Sequence, residues 1–278
     1  MPSTSVTDEH ERERPGLGIG VLPGAEPEAC ADAVATALET GYRHVDTAQR
    51  YRNEESVGRG IARADLPREE VVLATKVWID RPDREGVLSP TREGLDRLGV
   101  DAVDLLYVHG PADRYDPAET LPAMDEVRER GLADRIGVSN FLLEQVDEAR
   151  ERLDAPVFAN QIEVHPLLPR WELVEGCHER GIEVVAYSPL ARGRVFDVPV
   201  LTEIAERHGV SEAQVSLAWL RERDIVPIPK ATSAAHVRDN WASHELTLTD
   251  AERERIDAID RRERTVDPEF GPWNDGDD

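Results

Sequence analysis

Lys76 and Lys230 are the two lysines of a 278-residue chain in which the other 31 basic residues are arginine. A guanidinium is planar and cannot stand in for a compact ammonium, so a lysine kept against this bias points to work that arginine cannot do. Lys76 ends the apolar run V-V-L-A-T-K, and Lys230 follows I-V-P-I-P. Both fall where a strand gives way to a loop. Other polar residues end apolar runs in the same way: Asp46 in R-H-V-D, His109 in D-L-L-Y-V-H and Ser139–Asn140 in R-I-G-V-S-N. Gln161 in V-F-A-N-Q-I and Tyr187–Ser188 in I-E-V-V-A-Y-S complete the set. An acid, a lysine and a histidine on neighbouring strand ends are residue types that general acid–base chemistry uses. Singly, Asp46 could cap a turn, His109 could donate to a carbonyl, Ser139–Asn140 could cap a helix and Tyr187 could be core. Their convergence on one end of seven strands favours a site.

The elements that must position them alternate. L-G-I-G-V at 17–21 reads as a first strand, and Pro27–Thr40 as a helix ending at Gly41. Then come R-H-V-D, a helix after Asn53, V-V-L-A-T-K, a helix from about Ser89 to Leu98, and D-L-L-Y-V-H. A helix over 117–130, R-I-G-V-S-N, a helix over 142–153, V-F-A-N-Q-I, a helix over 169–180 and I-E-V-V-A-Y-S follow. Two helices between Val198 and Arg223, I-V-P-I and closing helices end the chain. Eight β-α units predict an α/β fold with a parallel sheet closed into a (β/α)8 TIM barrel, whose active site lies at the C-terminal strand ends. With no Gly/Ser/Pro-rich linker, residues 1–278 read as a single barrel domain, with a poorly ordered N-terminus over about 1–14 and a flap and tail over about 261–278. G-L-G-I-G at 16–20 lacks dinucleotide-fingerprint spacing and reads as a close backbone approach in the first strand–helix loop.

A formal net charge of −24 and a pI near 4.7 argue against nucleic acid and anionic membranes as partners. With 40% hydrophobic residues in periodic order, disorder is not expected. Acidity spread over a lysine-poor chain is the pattern of a halophilic protein, since at about 1 M salt the Debye length shrinks to roughly 3 Å and repulsion between carboxylates is tolerable. Cys30 and Cys177 fit no disulfide or zinc spacing. The polar N-terminus is not a signal peptide, and no apolar stretch is long enough to span a membrane, so a cytoplasmic location is expected.

The run G-Y-R-H-V-D-T-A-Q-R-Y-R-N-E-E-S-V-G, Gly41 to Gly58, closely resembles the signature of the aldo-keto reductases. G-V-S-N-F, N-Q-I-E-V-H-P, A-Y-S-P-L and I-P-K follow in that family's order, so the resemblance covers roughly Gly16 to Asp260. Short loops and tail are most similar to the prokaryotic diketo-gluconate reductase branch. The resemblance implies reduction of an aldehyde or ketone by NADPH, a small-molecule carbonyl substrate, no metal and a monomer. It implies a catalytic tetrad of Asp46, Tyr51, Lys76 and His109: Tyr51 donates the proton, Lys76 lowers its pKa, Asp46 holds Lys76, and His109 orients the carbonyl oxygen.

By the same resemblance Ser139, Asn140 and Gln161 would bond the nicotinamide carboxamide and Tyr187 would stack on its ring. Ser188 and Leu190 would line the pyrophosphate path, Lys230 would meet the 2′-phosphate, and Asp239 and Asn240 would lie near adenine. Ala231 and His236 replace a common serine and arginine, so NADH is also admitted, with Thr232 and Ser233 as substitute contacts and His236 as a phosphate neighbour. Leu22, Trp78, Gly110 and Trp273 would form the substrate pocket, with a more open wall at Gly110. Two alternatives remain at this point: a metal-dependent barrel hydrolase built on His44, Asp46, His109 and His165, and a cofactor-binding redox-sensing subunit of a channel.

Overall fold

The computed structural model describes residues 17–20, 26–267 and 271. Leu22, Trp273, the N-terminal arm over 1–14 and most of the tail beyond 267 lie outside the described residues. Apolar runs and periodic segments become β1 (Gly18–Gly20), α1 (Pro27–Thr40), β2 (His44–Asp46), α2 (Glu54–Arg63), β3 (Val72–Val77) and α3 (Arg84–Leu98). β4 (Val103–Val108), α4 (Pro117–Glu129), β5 (Ala133–Ser139), α5 (Leu143–Arg152), β6 (Val157–Glu163) and α6 (Trp171–Glu179) follow. β7 (Glu183–Tyr187), α7 (Pro199–His208), α8 (Glu212–Arg221), β8 (Ile225–Pro227), α9 (Ala234–Ala242) and α10 (Asp250–Asp257) complete the order. The expected start of α3 at Ser89 is corrected: Asp83 accepts the Gly86 N–H at 2.8 Å and caps the helix a turn and a half earlier, carrying Pro90 inside it.

Every strand pairs in parallel with its neighbour in sequence, β1 through β8. Helical crossovers make this possible, because parallel neighbours need a long return path. The ring closes where Gly20 bridges Lys230 and its N–H donates to Pro229 O at 3.2 Å. The fold is therefore a (β/α)8 barrel. Gly18 and Gly20 of the glycine-rich run belong to this seam and not to the strand–helix loop, a second correction. A Cβ on Gly20 would lie 2.6 Å from Ile228 O, so only glycine lets β1 approach β8.

Side chains alternate across each strand. Asp46, Lys76, Gln161 and Tyr187 share the barrel-facing register. Below them Ala74, Leu105, Tyr107, Ala159, Val185 and Ile228 form a small buried apolar layer. Gly137 leaves the space that the Tyr107 ring fills, since a Cβ there would lie 2.6 Å from it. The opposite register belongs to the larger core, in which Val45, Leu73, Val108 and Ile162 share one buried cluster with helix residues such as Leu88, Met124 and Trp219. The polar set is thus held at one end of the ring and sealed from below. Cys30 and Cys177 are buried free thiols. Among the described residues no helix is long and apolar enough to cross a membrane.

Candidate active site

Asp46 lies opposite Ala74 in the β2–β3 register, so Lys76 stands one pleat further along the same face. Its four-carbon stem spans that offset. The Lys76 ammonium donates to Asp46 Oδ1 and, at 2.8 Å, to Thr47 O. Gln161 Nε2 donates to Asp46 Oδ2 at 2.8 Å. Lys76 is 1% exposed and Asp46 2%. An ion pair at this depth needs further hydrogen bonds beside its own contact, and here Thr47 O takes a second ammonium proton and Gln161 bonds the second Asp46 oxygen.

Tyr51 stands in the short turn Gln49–Tyr51 that follows β2. The Lys76 ammonium lies 5.4 Å from the centre of its ring. Tyr51 meets His109 edge-on at 5.7 Å between ring centres, and Trp78 meets His109 edge-on at 5.4 Å. The four residues of the expected tetrad are therefore together. Burial pushes the Tyr51 hydroxyl pKa up, against the pull of Lys76 and Arg50. Lys76 acts in the expected direction, and burial outweighs it. Burial, then the charges of Lys76 and Arg50, drive His109 down to about 3, so its ring is neutral at neutral pH.

The amide-bearing strand ends form a second cluster. Ser139 Oγ donates to Gln161 O at 2.9 Å, and Asn140 Nδ2 donates to Ser139 Oγ at 3.2 Å. The Tyr187 hydroxyl donates to Asn140 Oδ1 at 2.8 Å. Asn140 (φ 63°) and Ser188 (φ 48°) are both left-handed, a conformation that non-glycine residues adopt at a cost and that turns side chains off the strand direction at sites. Gln161 spends one Nε2 proton on Asp46, which leaves its second amide proton and the acceptor Oε1.

Across the mouth, Lys230 is exposed at the end of β8. Three residues on, Ser233 caps α9 by accepting the His236 N–H at 3.2 Å. Thr232 and His236 are exposed, Asn240 is buried and Leu190 is half-buried. Asp239 is committed elsewhere, accepting from Ser211 Oγ and Gln214 Nε2 at 2.7 Å each. A Cβ on Gly110 would meet only Ser139 O, at 3.8 Å, so the wall there is open.

Sequence reasoning passed over Glu163 and Arg50. Glu163 is fully buried at the end of β6 and accepts from Thr265 N at 2.8 Å, from Thr265 Oγ1 and from Val266 N at 3.1 Å. It thereby ties residues 265–266 to the barrel mouth. Burial raises its carboxyl, but the His165 and Thr265 donors prevail and hold it below the usual range. Its signal was a carboxylate inside N-Q-I-E-V-H-P. His165 turns to Glu163 at 3.2 Å, and the described residues hold no group of three or more His, Cys, Asp or Glu placed to bind a metal.

Residues 16–261 match the model of the Aldo/keto reductase family. The chain is 36% identical to the glyoxal reductase of Bacillus subtilis over 91% of each chain. It is 35% identical to the methylglyoxal reductase DkgB of Yersinia pestis, covering 92% of this chain and 96% of that one. The crystal structure of a Bombyx mori aldo-keto reductase in complex with NADP superposes with a TM-score of 0.83 at 34% identity, covering 90% of this chain and 91% of that one.

Proposed function

The chain belongs to the aldo/keto reductase family, and we propose that it reduces an aldehyde or ketone to the alcohol with NADPH, taking the proton from Tyr51. The observation that carries this reading is the buried Lys76–Asp46 pair set beside Tyr51, with His109 neutral at the Tyr51 ring edge.

The donor set fits a dinucleotide. Ser139, Asn140 and the Gln161 acceptor suit a carboxamide, and the Tyr187 ring suits a planar heterocycle. Lys230, close in sequence to the Ser233-capped start of α9, suits a phosphate, because a helix N-terminus and a cation both favour negative charge. Ser188 and Leu190 would follow the pyrophosphate, while Thr232, His236 and Asn240 would flank the far end. Bound NADPH supplies the hydride for the carbonyl carbon.

The residues supply the rest. An imidazolium with a pKa of about 3 is populated to only about one part in ten thousand at pH 7, so His109 is a poor proton source. As a neutral ring it can hold the carbonyl oxygen through an N–H. Tyr51, kept protonated by burial, has the proton to give. The Lys76 charge then favours the phenolate left behind, and Asp46 keeps that charge in place. Trp78 and Gly110 would shape the substrate side. The test is NADPH consumption on an aldehyde panel by wild type and Tyr51→Phe. Loss of the general acid costs about 10²–10⁴-fold, with NADPH binding retained by fluorescence titration. A Tyr51→Phe rate within about threefold of wild type would falsify the assignment.

A further inference from the structure

We propose that Tyr107 is a second tyrosine of this site, a positioning residue that sets the Lys76 ammonium and the Gln161 amide from beneath. The inference rests on the carbonyl-reductase reading above and deepens it. Tyr107 stands opposite Lys76 in the β3–β4 register and opposite Gly137 in the β4–β5 register. Side chains at opposed positions of neighbouring strands share a face, so the ring lies beside the lysine stem inside the barrel. A Cβ on Gly137 would lie 2.6 Å from two of the ring carbons and 3.1 Å from Ala159 O. The ring therefore crosses β5 toward β6, the strand that carries Gln161. Tyr107 is fully buried in the apolar layer below the site. The Lys76 ammonium lies 5.9 Å from the centre of its ring and 5.4 Å from that of Tyr51. Two aromatic rings thus face the ammonium, one at the mouth and one in the sealed layer.

The hydroxyl is buried without a hydrogen-bond partner. A phenylalanine would fill the same space more favourably, because an unpaired buried polar group is destabilising. The Gln161 amide lies near the hydroxyl and bears on its acidity, but the two make no well-formed bond as they stand. Burial pushes the hydroxyl pKa well up, so it stays a neutral phenol. After bonding Asp46, Gln161 keeps one amide proton and Oε1. A phenol both donates and accepts, so it can complete whichever of these a nicotinamide carboxamide leaves unused. The hydroxyl thus finds its partner in the cofactor complex, where Gln161 must be held in one orientation. The ring serves Lys76. Its face attracts a cation where an aliphatic wall would not, and it keeps the ammonium up against Tyr51. Tyr107 itself gives no proton, because its burial closes it off from the substrate.

The simplest alternative is that Tyr107 only packs the barrel. Tyr107→Phe keeps the ring and removes the hydroxyl. Its urea midpoint should match or exceed that of wild type, because an unpaired buried group is lost. Fluorescence titration should show NADPH and NADH both bound about fivefold more weakly, the order of one neutral hydrogen bond. The loss is shared because the nicotinamide end is common to the two cofactors. At saturating NADPH its kcat, and its KM for an aldehyde, should stay near wild type. Tyr107→Leu removes the ring as well and should lower kcat about tenfold further, the order of a buried cation–π contact, with the aldehyde KM unmoved. A packing role gives the reverse pattern, with lowered urea midpoints and unchanged cofactor affinity of the folded enzyme. Wild-type dissociation constants in Tyr107→Phe, a loss confined to NADPH, or a lowered midpoint in that variant overturn the proposal. So does a Tyr107→Leu kcat equal to that of Tyr107→Phe. If wild type binds neither cofactor or reduces no aldehyde, the reductase reading fails. If it does both and the variants match it, this inference fails alone.

Discussion

Gln161 Nε2 donates to Asp46 Oδ2 at 2.8 Å, across 115 residues of sequence. The strand end expected to hold a cofactor amide is therefore bonded to the carboxylate that holds Lys76. One residue links the two halves of the site, because its side-chain amide bonds Asp46 while its backbone carbonyl accepts from Ser139.

Substitution of Gln161 is expected to affect both halves. Gln161→Leu removes a donor from a buried carboxylate, so NADPH affinity and kcat should fall together. Gln161→Glu should be worse at pH 8, where two carboxylates face each other. It should recover in part toward pH 5, because the crowded carboxyl has a raised pKa and, once protonated, can again donate to Asp46. The pH profile of kcat/KM for the two variants checks this. A Glu variant that matches wild type at pH 8 would show that the contact is dispensable.

Lys76 has no space to spare at 1% exposure. Lys76→Met leaves Asp46 buried without its counter-charge, which costs about 3–5 kcal/mol of stability. Lys76→Arg preserves charge but overfills the site, at about 1–3 kcal/mol, and displaces the charge beside Tyr51. Both should abolish most turnover, with urea unfolding separating stability from activity. A fully active arginine variant would remove the reason given for the retained lysine.

Lys230 is expected to discriminate between cofactors. Lys230→Ala should weaken NADPH binding by about 1.5–3 kcal/mol, the range for hydrogen bonds to charged groups, and leave NADH nearly unchanged. Dissociation constants for both cofactors decide it. An equal loss for the two would move Lys230 away from the 2′-phosphate.

His109 links stability to pH. Its folded pKa of about 3 lies below the ordinary histidine value near 6.5. Between these values the unfolded chain binds a proton that the folded chain does not. Stability from this group is therefore complete above about pH 6.5 and falls with decreasing pH, by about 1.36 kcal/mol per unit. His44, also lowered by burial, acts in the same sense. Urea unfolding at pH 7, 6, 5 and 4 should show a shallower acid decline in His109→Gln than in wild type. Parallel curves would mean that His109 is not held neutral.

The order of elements and the strand-end positions of Asp46, Lys76, His109, Ser139, Gln161, Tyr187 and Lys230 were legible in the sequence. Apolar runs and strand alternation are local properties, and in a parallel barrel every strand delivers its last residues to the same rim. The arginine bias singled out Lys76 for the same local reason: an ammonium differs from a guanidinium in shape wherever it stands. α3 starts before the expected Ser89 because the Asp83 carboxylate accepts the Gly86 N–H and caps the helix there.

What only the tertiary structure decided is how the delivered groups divide their bonds and charges. Burial reverses the net shift on Tyr51, Glu163 captures Thr265, Gly20 seals the barrel seam, and Arg50 settles on Trp78. The Gln49 bond behind that last contact spans 29 residues, and Glu163 and Thr265 lie 102 apart. Such distances are set by closure of the ring, and burial depends on every element that covers the site. A hydrogen-bond donor is spent only once, and which acceptor receives it is decided when the strands meet.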